Sequence, residues 1–408
     1  MIFTPEKARQ QFSALNQLYN DKPVVFFDGP GGSQVPTSVL EGMNQYLGYY
    51  NSNNGGHYFS SQLTDELVEK AREHVQAFFN AESKDNVVFG ANMTSLTFQL
   101  SRAISRNWTP EDEIIVTALD HSANVSTWEQ AAQDKQTKVH KVRAVESDCT
   151  LDLAHLESLI NSKTKLIAVT MASNCTGSIV DVEQVVSMAK KVGAKVYVDA
   201  VHYAPHHAID VKRLGCDFLA CSAYKFFGPH IGMAYVAPQW LQVLQPYKVE
   251  PATDIGPGRF ETGTPSFEAI AGVIEAINYI AQWGGESETL RERIIVGYQR
   301  FSEHEEKLSQ YFLNKLSSIK GAKLFGIEDA STDLRTPTFA IRIEGHHPEL
   351  IAKTLGEQNI CVWNGHFYAL GLIKQLDLLE SGGVVRIGFM HYNTIEEIDQ
   401  LFNVLAAL

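Results

Sequence analysis

From about residue 25 to residue 285, runs of strand-forming residues alternate with segments of helical periodicity. This alternation constrains the fold more than any other feature of the chain, because it argues for a doubly wound α/β sheet. Strands are predicted at Val24–Asp28, Asn86–Phe89, Glu113–Thr117, Lys138–Val142, Lys165–Thr170, Lys195–Asp199, Asp217–Cys221 and Ile231–Ala237. Between them, Leu63–Asn80 reads as a helix with Leu67, Val68, Ala71, Val75, Phe78 and Phe79 on one face. Val182–Val192 reads as another, closed by Gly193. A long helical pattern, Ser287–Leu316, leads into strands at Ala322–Phe325, Thr338–Ile343, Ile360–Trp363 and Val384–Phe389. The last helix opens on a capping box, Thr394 to Glu397. A chain of 408 residues is long for one domain. The pattern predicts a large domain over 25–285 and a small α/β domain over 286–408. Residues 1–24 are expected to pack on the small domain.

Charge and composition narrow the partners. The chain is 44% hydrophobic and 20% charged, with a net charge of −13. No run of Lys and Arg exceeds two residues. Nucleic acid and anionic membranes are therefore not expected as partners. No apolar stretch reaches transmembrane length. Met1-Ile2-Phe3-Thr4-Pro5-Glu6-Lys7 lacks the features of a signal peptide. The five cysteines, Cys149, Cys175, Cys216, Cys221 and Cys361, are scattered with no metal-ligand spacing. Cys216 and Cys221 read as core thiols. These features together predict a cytoplasmic protein without a metal site.

The chemistry concentrates around Lys225, in Ser222-Ala223-Tyr224-Lys225-Phe226-Phe227-Gly228-Pro229. A strand precedes this run, and another follows it. Upstream, the strand Lys195-Val196-Tyr197-Val198-Asp199 ends in a carboxylate. A lysine and an aspartate at neighbouring strand ends suit pyridoxal phosphate. The amine forms a Schiff base with the aldehyde, and the carboxylate keeps the pyridine nitrogen protonated.

The stretch Asn174 to Val236 resembles the cofactor region of class V pyridoxal phosphate enzymes, most of all the cysteine desulfurases and selenocysteine lyases. The matching motifs are Ser173-Asn174…Gly177, Val198-Asp199, His206-His207 and Ser222-Ala223-Tyr224-Lys225…Gly228-Pro229. The resemblance runs from about Phe27 to the C-terminal helix. It implies fold type I, the aspartate aminotransferase-like arrangement: a large, mainly parallel seven-stranded sheet domain and a small C-terminal α/β domain. It implies that Ala91, Asn92 and Met93, at the start of a helix over Thr94–Ile104, receive the phosphate together with Ser222. His121, in Asp120-His121-Ser122-Ala123-Asn124, would stack on the pyridine and assist proton movement. Asn174 and His202 would reach the cofactor's phenolic oxygen, His202 standing where glutamine is usual. His206 and His207 match the family and read as structural. Thr264, in Gly263-Thr264-Pro265, would complete the phosphate site of a partner subunit, which implies a homodimer. Arg386 would grip a substrate carboxylate. Asn53 and His57, in a glycine-containing loop, and Asp28 to Gly32 would border the pocket mouth. A nucleotide phosphate loop at Gly29–Gly32 lacks the lysine and hydroxyl it needs.

One departure bears on the reaction. Desulfurases carry sulfur on a loop cysteine, and one branch reads Arg-Thr-Gly-His-His-Cys-Ala there. Trp363-Asn364-Gly365-His366-Phe367-Tyr368-Ala369 aligns with it without a gap, and Tyr368 stands at the cysteine position. Tyr224 likewise replaces the histidine usual before the lysine. The sequence therefore predicts an enzyme acting at Cα of a small amino acid, with Lys225, Asp199 and His121 as its catalytic residues. Asn53, His57, Tyr368 and Arg386 are expected near the substrate. Transamination and desulfurase-like elimination both remain open. So do a true desulfurase or selenocysteine lyase with another sulfur acceptor, an epimerase, and an inactive scaffold. A nicotinamide dehydrogenase would need a Gly-x-Gly-x-x-Gly turn after an early strand, and none is present where it is needed.

Overall fold

A computed structural model of the chain describes residues 3–408. Seven strands form one sheet in the order Val87–Gly90, Gly232–Val236, Phe218–Ser222, Lys195–Asp199, Thr164–Thr170, Glu113–Thr117 and Lys138–Val142. Gly232–Val236 runs antiparallel to both neighbours, and the other pairings are parallel. Each central strand is buried on both faces, as a sheet covered by helices on both sides requires. Val196 and Val198 face one apolar layer and Tyr197 the other. Helices Phe59–Phe79, Val182–Lys190 and Phe267–Ala281 pack into the first layer. Helices Met93–Ile104 and Ser126–Lys135 pack into the second.

A second, antiparallel sheet contains Ala322–Phe325, Thr338–Ile343, Val384–Gly388 and Trp363–Gly365 in that order. Its core joins Phe339, Ile341, Val385 and Ile387 to Phe312 and to Ile398, Leu401 and Phe402 of the last helix. Helix Leu290–Leu316 spans 27 residues and reaches from this core to the first one, through Phe312 at one end and Ile294 at the other. The capping boxes at Thr289 and Thr394 both form.

Two early expectations need correction. The strand near Val25 forms only over Val25–Phe26. It pairs in parallel with Ile360–Cys361 and stays outside the seven-stranded sheet. Val25 and Phe27 bury into the core of the second sheet, which explains the choice of partner. The strand expected over Ile360–Trp363 is two pieces. Ile360–Cys361 pairs with Val25–Phe26, and Trp363–Gly365 turns to pair with Val384–Gly388. The N-terminal residues meet the first core and the last helix: Phe12 stacks edge-on against Tyr279 and lies against Tyr392, and Arg9 pairs with Glu397.

Candidate active site

The parallel strands end on a cavity of about 600 Å³, in the position where open α/β sheets take ligands. Thr170, Asp199 and Ser222 close three adjacent strands and line it. Lys225 follows Ser222 by one short turn, Ala223–Lys225. Opposite, helix Met93–Ile104 begins at the cavity, with Asn92 as its cap accepting the Ser95 amide at 2.9 Å. Gly232 permits this approach: a Cβ there would lie 2.3 Å from the Asn92 backbone. The Met93 amide donates to Ser222 Oγ at 2.9 Å, which leaves the Ser222 hydroxyl hydrogen for another acceptor. A helix N-terminus and a free hydroxyl donor suit a phosphate.

Lys225 Nζ donates to the carbonyl oxygens of Pro30 and, at 3.2 Å, Gly31. The Asp28–Gly32 turn therefore closes on the lysine. Burial, and then the Arg386 charge, lower the Lys225 amine to about 7, against the pull of Asp199 and Asp28. A large share of it is thus neutral and nucleophilic near neutral pH. Burial raises Asp199 to about 6, although the Val201 amide at 2.9 Å and the Lys225 charge oppose it. A protonated ring nitrogen beside this carboxylate would satisfy its charge.

His121 lines the same cavity. Its Nδ1 accepts the Ala123 amide at 3.1 Å, which places the hydrogen of the neutral ring on Nε2. Burial, with Lys225 and Arg386 nearby, lowers its pKa to about 4. The motif around it is a hydrogen-bonded chain. Asn124 donates to Asp120 at 2.7 Å and accepts Trp128 Nε1 at 2.9 Å. Asp120, also bonded by Thr117, is buried and raised by that burial to about 8.

His202 is buried, with Nε2 at 3.1 and 3.0 Å from the Thr336 and Thr338 hydroxyls. Its Nδ1 and the Asn174 Oδ1 are buried with no partner among the described residues. Both residues line the cavity, so these atoms offer contacts to a bound group. His206 and His207 lie in a turn, not on a strand. His206 Nδ1 meets buried Glu305 at 2.9 Å.

Arg386 sits behind Asn174, and its Nη1 donates to the Asn174 carbonyl at 2.8 Å. It is 5% exposed, burial lowers it to about 10, and it forms no ion pair among the described residues. Its Nε has no hydrogen-bond partner among the described residues. A buried guanidinium without a carboxylate is costly, and an incoming carboxylate removes that cost. Phe367 lies 4.3 Å from the guanidinium carbon, ring centre to Cζ, and Tyr368 stands 5.3 Å from the His121 ring.

The cavity thus collects Asn92, Met93, His121, Asn174, Asp199, His202, Ser222 and Lys225. Ala91 precedes the cap. Asn53, His57 and Thr264 do not line this cavity. The loop around Asn53 is instead tied to the start of helix Phe59–Phe79, with Ser61 Oγ donating to the Asn53 carbonyl at 2.7 Å. Sequence reasoning missed Thr170, His230 and the threonine pair that holds His202. It also missed Phe367 as a neighbour of Arg386, since nothing in either segment announces the other.

The profile of the Aminotransferase class-V family matches residues 25–401. The chain belongs to this family. Its curated relatives place it on the desulfurase-like branch. A probable cysteine desulfurase of Halalkalibacterium halodurans is 31% identical, with 96% of this chain and 95% of that protein covered. The cysteine desulfurase of Escherichia coli K12 is 29% identical over 98% and 97%. The apo structure of a cysteine desulfurase from Thermococcus onnurineus superposes with a TM-score of 0.89 at 26% identity, covering 100% and 99% of the two chains. As a class V member the protein is a pyridoxal phosphate-dependent enzyme of fold type I. The residues around the cavity fit that cofactor, from the phosphate cradle at Met93 to the amine of Lys225. Among the described residues no helix is long and apolar enough to cross a membrane, and no cluster of metal ligands occurs.

Proposed function

We propose that the enzyme acts at Cα of a small amino acid and carries no sulfur on a cysteine of its own. One observation carries the reading: a single cavity joins a lysine amine lowered to about 7, the Asp199 carboxylate and His121, with the unpaired Arg386 behind it. Bound pyridoxal phosphate supplies an aldehyde for amines and a ring that withdraws electrons from Cα. Lys225 Nζ would hold that aldehyde, and its neutral amine is the group that could take and return a proton at Cα. The Pro30 and Gly31 carbonyls orient that amine. Asp199 would hold a proton on the ring nitrogen. His121, with Nδ1 occupied, has no free lone pair at Nε2 and would cover the ring, which leaves Lys225 as the base. Arg386 binds the substrate carboxylate.

The reaction ends in transamination or in desulfurase-like elimination. Against a protein persulfide stands the chemistry of the five thiols. Cys149, Cys175, Cys216 and Cys221 are buried, Cys361 is half-buried, and none lines the cavity. Burial pushes Cys361 up to about 11 and Cys175 to about 12, so neither supplies a thiolate. The deciding experiment offers small amino acids with and without a keto acid. Keto-acid-dependent turnover assigns transamination, and keto-acid-independent release of product assigns elimination. No turnover of any amino acid, in a protein that shows the visible cofactor band, would reject the proposal.

A homodimer belongs to the same reading. Thr264 sits on an exposed turn away from its own cavity, free to reach another. Tyr49, Phe59 and Ile255 are each at least 70% exposed, as side chains awaiting a second copy would be. Sedimentation as a monomer, or unchanged cofactor affinity in Thr264→Ala, would overturn it.

A further inference from the structure

The segment Gly365–Ala369 is held at two separate points, Asn174 and Ser122. It leaves the strand Trp363–Gly365, in which Trp363 pairs with Arg386. Its base is tight: a Cβ on Gly383 would lie 2.1 Å from the Gly365 carbonyl oxygen. Phe367 and Tyr368 then take left-handed φ values of 50° and 58° in succession. Side chains disfavour that region, and such a pair persists only where neighbouring contacts fix it. Those contacts are present. Asn174 Nδ2 donates to the Phe367 carbonyl at 2.8 Å. The amide and hydroxyl of Ser122 both donate to the Tyr368 carbonyl at 2.7 Å. The Tyr368 amide donates to His366 Nδ1 at 3.1 Å. So anchored, the loop lays Phe367 on the guanidinium of Arg386 and Tyr368 over His121.

We propose that this loop is a fixed aromatic clamp in which Phe367 is a positioning residue for Arg386. Among the described residues the guanidinium has one hydrogen bond, from Nη1 to the Asn174 carbonyl, and one ring against its face. Together they fix the plane of the fork, which keeps Nη2, bonded to nothing among the described residues, for the substrate carboxylate. Without the ring, the guanidinium is free to swing about that single bond. The inference rests on reading Arg386 as the carboxylate anchor.

The test uses the cofactor-loaded enzyme and two probes, L-alanine and ethylamine, which differ in the carboxylate. Binding is read from the shift of the visible cofactor band. In Phe367→Leu, L-alanine should bind about tenfold more weakly, ethylamine should bind unchanged, and the band of the free enzyme should keep its position. Phe367→Tyr, which preserves the ring, should bind L-alanine as the native enzyme does. Equal loss for both probes, or no loss for either, would overturn the clamp. Arg386→Leu separates the two claims. If it weakens L-alanine and Phe367→Leu does not, the clamp alone fails. If Arg386→Leu leaves L-alanine binding intact, the anchor itself is wrong. A native enzyme that responds to ethylamine and not to L-alanine would reject the amino-acid reading.

Discussion

The floor of the cavity and its rim are built differently. The floor consists of strand ends in a sheet whose central strands are wholly buried: Thr170, Asp199 and Ser222, then Lys225 one turn later. Their positions follow from strand register, which cannot slip without turning every side chain to the wrong layer. The rim consists of loops: Gly365–Ala369 over the cavity, and the segments around Asn53 and Thr264 outside it. The floor collects the residues we propose hold the cofactor, and the rim carries Tyr368, which on our reading stands in place of a sulfur-carrying cysteine. On that reading, rigid sheet ends keep the cofactor chemistry, while loops are free to change what becomes of the substrate.

The floor should fail completely when touched. Lys225→Ala should remove the borohydride-sensitive visible band and lower turnover by about a thousandfold or more, with the circular dichroism of the fold unchanged. Turnover at the native level would take Lys225 out of its role. Asp199→Ala should still bind the cofactor and lose exchange of the substrate Cα proton on the order of a hundredfold, measured by deuterium incorporation from solvent. Native exchange rates would break the pairing of Asp199 with the ring nitrogen.

A smaller effect tests the electrostatics. The neutral amine of Lys225 is the reacting form, and its pKa is lowered to about 7. Cofactor uptake by the apoprotein should therefore accelerate as pH rises towards 7 and level off above it. An ordinary lysine would put that rise near pH ~10.4. Arg386 lowers and Asp199 raises the amine. Arg386→Leu should consequently move the midpoint up, and Asp199→Asn should move it down. Stopped-flow uptake across roughly two pH units on either side of the expected midpoint would show either shift. A midpoint that ignores both substitutions would mean that these charges do not govern the amine.

The same contrast explains what the sequence disclosed. The strands Glu113–Thr117, Lys138–Val142 and Lys195–Asp199 carry their signal locally, in apolar runs bounded by turns, and the structure forms them over those residues. The places of Asp199 and Lys225 at the sheet edge were legible because Asp199 ends such a run and Lys225 follows one by a short turn. Val25–Phe26 misled because its local pattern is the same, while its partner lies far along the chain at Ile360–Cys361. Phe367 on Arg386 was illegible for a related reason. A cation over a ring leaves no mark in either segment, and only the turn after Gly365 brings them together. The two threonines that hold His202 are likewise distant in the chain, at Thr336 and Thr338.

The smallest expected effect is the sharpest test of the rim. If absence of the cysteine were all that separates this chain from sulfur carriers, Tyr368→Cys would install a persulfide. We expect that it does not. The residue's carbonyl is pinned by two donors of Ser122, its amide by His366, and the preceding carbonyl by Asn174. A sulfur carrier must approach the substrate to be loaded and then withdraw to deliver, and a loop so held resists both movements. The measurement is intact-protein mass spectrometry after incubation with cysteine, before and after reduction. The Tyr368→Cys variant should gain no reducible mass of one sulfur atom, as the native enzyme should gain none on its five cysteines. A persulfide on the introduced thiol would show that the loop moves. The difference between floor and rim would then reduce to one side chain. A persulfide on native Cys361 would instead mean that the strand Ile360–Cys361 opens to the cavity, against the burial of its neighbour Ile360 at 2% exposure.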